Sequence, residues 1–99
     1  MLITHPLASE EMAHAIDYYS AISEDLATRL ADEIDVLLDE IELAPQRWGF
    51  YEPLLKYRRW RRRIAKGFPY LLIYEVAGDR IRIVAFPHVA QKPGYWRYR

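Results

Sequence analysis

Residues 70–86, Tyr70-Leu71-Leu72-Ile73-Tyr74-Glu75-Val76-Ala77-Gly78-Asp79-Arg80-Ile81-Arg82-Ile83-Val84-Ala85-Phe86, hold two β-rich runs on either side of a short polar stretch. β-branched and aromatic side chains suit a pleated surface, and Gly78 supplies the backbone freedom a tight reversal needs, so the segment predicts a hairpin of strands 70–76 and 81–86 joined by residues 77–80. Side chains alternate across a strand. Ile81, Ile83 and Ala85 are therefore expected on one face, with Arg82, Val84, Phe86 and His88 on the other. One face would be buried and the other open, with Arg82 and His88 looking outward together.

Upstream of the hairpin, residues 57–64 are crowded with arginine and predict a third, charge-bearing strand. Charge on an edge strand discourages unwanted pairing with other chains, and Arg stems can pack on Trp60. Residues 46–56, with Gly49 and Pro53, read as a linker pinned to the core by Trp48, Phe50, Tyr51 and Leu54. Before it the hydrophobic period becomes helical. Ala8, Met12, Ala15, Ile16 and Tyr19 recur at spacings of three and four behind Pro6, a residue suited to the first helical turn. Ser23 is a good N-cap followed by Glu24 and Asp25, where the helix dipole favours negative charge. A stripe of Leu26, Leu30, Ile34, Leu37, Leu38 and Ile41 then runs until Pro45 forbids continuation, so the second helix stops near Ala44. With Leu2–Thr4 as a short first strand, the expected fold is α+β in the order βααβββ. An antiparallel helical hairpin lies against a small, mainly antiparallel twisted sheet, and residues 1–99 form one domain.

Composition supports a chain that folds alone. It has 99 residues, 52% of them hydrophobic and 14% aromatic, enough to offset ordering entropy with a core. There is no Cys, which excludes disulfides, Cys-ligated zinc and thiol chemistry and fits a reducing cytoplasm. No leader-like start and no membrane-length apolar run is present, so the expectation is a cytoplasmic protein with no membrane partner. No phosphate-binding Gly loop and no His pair at ligand spacing appears, so no cofactor or metal is expected. His5 and His14 read as surface residues.

The net charge of zero conceals a division. Residues 1–56 hold three basic side chains (Arg29, Arg47, Lys56) against twelve acidic ones, and residues 57–99 hold eleven basic against Glu75 and Asp79. The two halves either neutralise each other or each face has its own partner. A basic face attracts phosphate backbones or acidic protein segments, and an acidic helical face repels nucleic acid.

The order helix, helix, Arg-rich strand, Gly67-Phe68-Pro69-Tyr70-Leu71-Leu72-Ile73-Tyr74, Ile81-Arg82-Ile83-Val84-Ala85-Phe86-Pro87-His88, then Pro93-Gly94-Tyr95-Trp96 resembles the RelE/ParE toxins of type II toxin–antitoxin systems over nearly the whole chain. The Phe-Pro-Tyr lead-in and the His before Pro-x-Tyr-Trp are closer to ParE. The resemblance implies a cytoplasmic plasmid-stabilisation-type toxin that inhibits growth and is neutralised by a cognate antitoxin in a hetero-oligomeric complex. Operator DNA would be reached only through that antitoxin. It also implies a target, either DNA gyrase or, in the RelE-like alternative, ribosome-bound mRNA cleaved without metal. A basic protein-binding module without toxicity is the third reading.

RNA cleavage needs a group to take the 2′-hydroxyl proton, one to protonate the leaving oxygen, and cations for the phosphate. Arg82, His88 and Tyr95 are the candidates for that chemistry. Arg59, Trp60, Arg61, Arg63, Trp96 and Arg97 are the candidates for partner contact. Nuclease relatives carry a fuller catalytic set, and Glu75 has no matching carboxylate on the Arg-rich strand. His88 has a structural reading as well, as a strand-end hydrogen-bonding group, and Tyr18, Tyr19 and Tyr74 read as core or rim.

Overall fold

The computed structural model describes all residues, Met1–Arg99. Its elements are β1 (Leu2–Thr4), α1 (Pro6–Ser20), α2 (Glu24–Leu43), a 3-10 turn (Glu52–Tyr57), β2 (Trp60–Ile64), β3 (Leu71–Ala77) and β4 (Arg80–Ala85). The sheet order is β1-β4-β3-β2, with β1 parallel to β4 and the other pairs antiparallel. The α+β class and the βααβββ order are as the sequence predicts, including the three-residue first strand.

The helices start and stop for local reasons. Pro6 opens α1, where its missing N–H costs nothing, and the His5 ring accepts from Leu7 N at 3.1 Å. His5 is thus an N-cap rather than idle surface. Ser23 accepts from Leu26 N at 3.4 Å, and Ala44 closes α2 just before Pro45. Ala8, Met12 and Ala15 of α1 and Leu30, Ile34, Leu37 and Ile41 of α2 meet Leu72, Tyr74, Ile81, Ile83 and Phe86 of the sheet in the larger core. Removing one such side chain, as in Leu30→Ala, costs about 2–5 kcal/mol.

The arginine strand is shorter than expected. It starts at Trp60, because the linker's end and Tyr57 form the 3-10 turn and Arg58, in the left-handed region at φ 46°, ends that turn and re-aims the chain into β2. Gly49 O and Tyr51 N then bond Arg62 N and Trp60 O, so the linker partly covers the outer edge of β2.

Two expectations about the hairpin are corrected. In the ladder Ile73 faces Ala85 while Tyr74 faces Ile83, so Val84 is an extra residue, a β-bulge. The bulge shifts the alternation by one. Phe86 joins Ile81 and Ile83 on the helix face, and Ala85 joins Val84 on the opposite face. That opposite face is not open. Tyr51 from the linker and Trp96 from the C-terminal tail close over Trp60, Ile73, Val84 and Ala85, with Leu54 and Leu71 at the margin. Strands buried on both sides carry continuous apolar runs, and Leu71-Leu72-Ile73-Tyr74 and Ile83-Val84-Ala85-Phe86 are such runs. The turn itself is two residues, Gly78-Asp79, with φ +62° at Gly78 alone, the pattern of a type II′ hairpin.

Candidate functional site

The sheet divides the proposed chemistry. Arg82 alternates with Ile81 and Ile83 and so lies on the tail face. There its guanidinium bonds the Glu75 carboxylate and reaches Arg99 O at 3.3 Å. Glu75 is buried mid-strand and also accepts from Arg59 Nε at 2.6 Å. One carboxylate flanked by two guanidiniums satisfies the burial rule for charge. Arg82 is thus engaged by the protein's own groups, although part of its side chain is exposed.

His88 lies on the other side, past the bulge. It sits against Tyr70 with ring centroids 5.4 Å apart, and with Glu11, His14, Ala15, Tyr18, Phe86 and Gln91 it lines a surface hollow of about 300 Å³. Its Nδ1 accepts from Ala90 N at 3.0 Å, so the neutral ring carries its proton on Nε2. Its backbone N–H donates to the Gln91 side chain and its carbonyl accepts from Gln91 N. These bonds hold the turn at residues 88–91, which is the hydrogen-bonding role the sequence offered as the structural alternative. The expectation that Arg82 and His88 share an outward face is therefore corrected, because the Val84 bulge sits between them.

Tyr95 belongs to a third cluster, built on a residue that sequence reasoning passed over. The Glu11 carboxylate on α1 accepts from Phe86 N at 2.8 Å, Tyr95 Oη at 3.0 Å and Arg99 Nη2 at 2.6 Å. Arg99 also donates to Val84 O at 2.9 Å and lies over the Tyr95 ring. Burial raises the Tyr95 phenol well above its ordinary range, and the charge and hydrogen bond of Glu11 add to the rise against the opposing pull of Arg99. A phenol held this way keeps its proton. The only signal for Glu11 was its place beside Met12 on the core stripe, and eleven other acids in the same half hid it.

The partner-contact candidates also separate. Trp60 and Trp96 are 4% and 1% exposed, so they are interior packing, and the expectation that they face a partner is corrected. Their size and apolarity decide this, since the small second core needs them. Arg59 binds Glu75 and lies 4.9 Å over the Trp60 ring. Arg63 pairs with Glu40 of α2 and stacks on Trp48. Arg61 donates to Gln46 O at 3.3 Å and Trp48 O at 2.6 Å and lies 4.2 Å over Phe50, with no carboxylate on it. Arg97 is exposed and donates to Tyr57 Oη at 2.8 Å.

No three His, Asp or Glu side chains converge in a geometry that would hold a metal ion. No helix is long and apolar enough to cross a membrane.

Comparison with known proteins agrees with this architecture. A chain of the chromosomal ParDE TA system from P. aeruginosa superposes with a TM-score of 0.73 at 15% identity, covering 88% of this chain and 92% of that one, which establishes a shared fold. No curated protein sequence matches. The family described as the ParE toxin of the type II toxin–antitoxin system parDE matches residues 2–93, nearly the whole chain including both helices and the full sheet. This chain belongs to the ParE toxin family.

Proposed function

We propose that the chain is the growth-inhibiting toxin of a type II pair, neutralised by a cognate antitoxin, and that it acts by binding DNA gyrase rather than by cleaving RNA. The observation that carries this reading is that each of the three chemical candidates is already engaged by other groups of the protein. Arg82 is tied to Glu75 on the tail face, His88 braces a turn on the helix face, and the Tyr95 proton is held by Glu11. General acid–base cleavage needs these groups around one phosphate, within hydrogen-bond reach of the atoms they serve. A binding inhibitor needs no such convergence.

Antitoxin capture is supported by the sheet edges and the charge. In the parallel pair, Met1 O and His5 N point toward β4, so the backbone groups of Leu2 and Thr4 point outward and leave an edge for an added strand. An acidic amphipathic segment also suits the basic half. The complex would be hetero-oligomeric and cytoplasmic, with the operator sequence read only by the antitoxin.

The test uses purified gyrase and relaxed plasmid with the intact chain, alongside mapping of cellular mRNA 5′ ends after induction without antitoxin. Trapped gyrase-cleaved DNA, with no new mRNA ends, is the expected outcome. New ends inside translated regions that vanish in His88→Ala would overturn it in favour of the ribonuclease. Normal growth on induction would leave the non-toxic binding module standing.

A further inference from the structure

A hollow of about 230 Å³ opens at the end of the sheet away from His88, lined by Gln46, Phe50, Arg58, Arg59, Arg61, Val76 and Gly78. Three guanidiniums meet there. Arg61 is fixed by two backbone carbonyls and by the Phe50 ring, yet none of its partners is anionic. Arg59 is held through Nε by Glu75, which leaves its terminal nitrogens free to face a ligand. Arg58 is exposed, its guanidinium makes no hydrogen bond or ion pair within the chain, and it is the one non-glycine residue with positive φ. A strained backbone that presents an unpaired cation beside two braced ones is the pattern of a preorganised anion site.

We propose that this hollow binds the phosphodiester backbone of duplex DNA. Arg forks match phosphate oxygens bidentately, and guanidiniums already held in place lose little rotamer freedom on binding. Exposed Arg80 stands two residues from Gly78, and half-buried Arg62 stands next to Arg61 on β2. Neither makes an ion pair, so both extend the positive field beyond the hollow. An acidic peptide is the other chemistry that charge would attract, but such a segment needs apolar pockets for its anchors. The hollow offers only Val76 and a Phe50 ring already covered by Arg61. The lining thus favours phosphate over peptide. This site is independent of whether gyrase is the target, because it predicts DNA binding by the chain alone.

The test is fluorescence anisotropy with the full chain and a labelled duplex of about 20 base pairs, titrated over a salt series, since each neutralised phosphate contributes about −0.9 to the log–log salt slope. Arg58→Gln with Arg61→Gln is expected to weaken binding about tenfold or more and to reduce the slope magnitude by about two. Arg29→Gln, which removes one positive charge from α2, is expected to do neither. Arg58→Gln alone touches no internal contact and should reduce the slope by about one, so a folding defect cannot stand in for the effect. Equal losses in Arg29→Gln, or an unchanged slope in Arg58→Gln, would overturn the site. So would a single-stranded RNA of the same length binding more tightly than the duplex, or poly-glutamate displacing the DNA at equal charge concentration.

Discussion

Replacing Glu11 by alanine should be among the most damaging single changes to this protein, although it lies on a helix surface in a half full of other acids. The carboxylate joins three elements at once through Phe86 N, Tyr95 Oη and Arg99 Nη2, at 2.8, 3.0 and 2.6 Å. The ion pair is largely shielded, with side-chain exposures of 23% for Glu11 and 13% for Arg99. Truncation removes the anion and leaves a backbone N–H and a guanidinium without their partner. Hydrogen bonds to charged groups contribute about 1.5–3 kcal/mol each but overlap on one carboxylate, and breaking a shielded pair costs about 3–5 kcal/mol. The expected loss is therefore about 3 kcal/mol or more. For a domain of this size that lowers Tm by about 12 °C or more, a large part of a total stability of about 5–15 kcal/mol. Urea unfolding of Glu11→Ala, Arg99→Met and the double variant closes a thermodynamic cycle. Coupling of about 1.5 kcal/mol or more is expected. A loss below about 1 kcal/mol for Glu11→Ala, or additive single effects, would show that the carboxylate is solvated and that the tail is held by Trp96 alone.

Two further outcomes follow from the same packing. Tyr74 is fully buried and donates to Pro45 O at 2.6 Å; burial pushes its phenol up to about 12 against the lowering pull of Arg61 and Arg63. The unfolded chain then loses this proton first, so stability should be flat below pH 10 and fall by at most about 1.4 kcal/mol per pH unit from there toward pH 12, a slope that urea titrations should find reduced in Tyr74→Phe. Trp96→Ala should cost about 3–5 kcal/mol by emptying the second core. Trp96→Phe should cost far less in the same urea titration, because Trp96 Nε1 is buried without a partner and its removal relieves an unsatisfied donor.

Much of the fold was legible because local signals agreed with one another. Pro6, Ser23 and Pro45 bounded the helices, the apolar spacing gave their buried face, and Ala77-Gly78-Asp79-Arg80 placed the hairpin. The faces of β4 were not legible, because a bulge adds one residue without a sequence mark: Val84 and Ala85 are ordinary strand residues, and only the pairing of Ile73 with Ala85 and Tyr74 with Ile83 reveals the shift. The 3-10 turn at residues 52–57 was hidden for a similar reason, since leucine, lysine and tyrosine tolerate several conformations and Arg58 in a left-handed position is unusual for its type. At the candidate site, residue types were readable and their company was not. Arg82, His88 and Tyr95 fall within fourteen residues of each other in sequence, yet each is engaged by different partners, contributed from β3, the 88–91 turn and α1.

The division of charge gains its meaning from those clusters. If the acidic and basic halves existed to neutralise each other, the ion pairs would cross between them in number. Of the four present, only Arg63–Glu40 and Arg99–Glu11 do so; Arg59 and Arg82 both spend their charge on Glu75, within the basic half. Some of the cations left over gather in one place. Arg58, without an ion pair, and Arg59, with its terminal nitrogens free, line one hollow with Arg61, itself fixed with no anion, where the end of the 3-10 turn comes beside Gly78 of the β3–β4 hairpin. Mutual repulsion of this kind lowers stability. A structure that braces the central guanidinium with carbonyls and a ring, where one acid would hold it more strongly, keeps the positive field available to a ligand. That choice links the charge pattern of the sequence to the fold's edge and the edge to its partner.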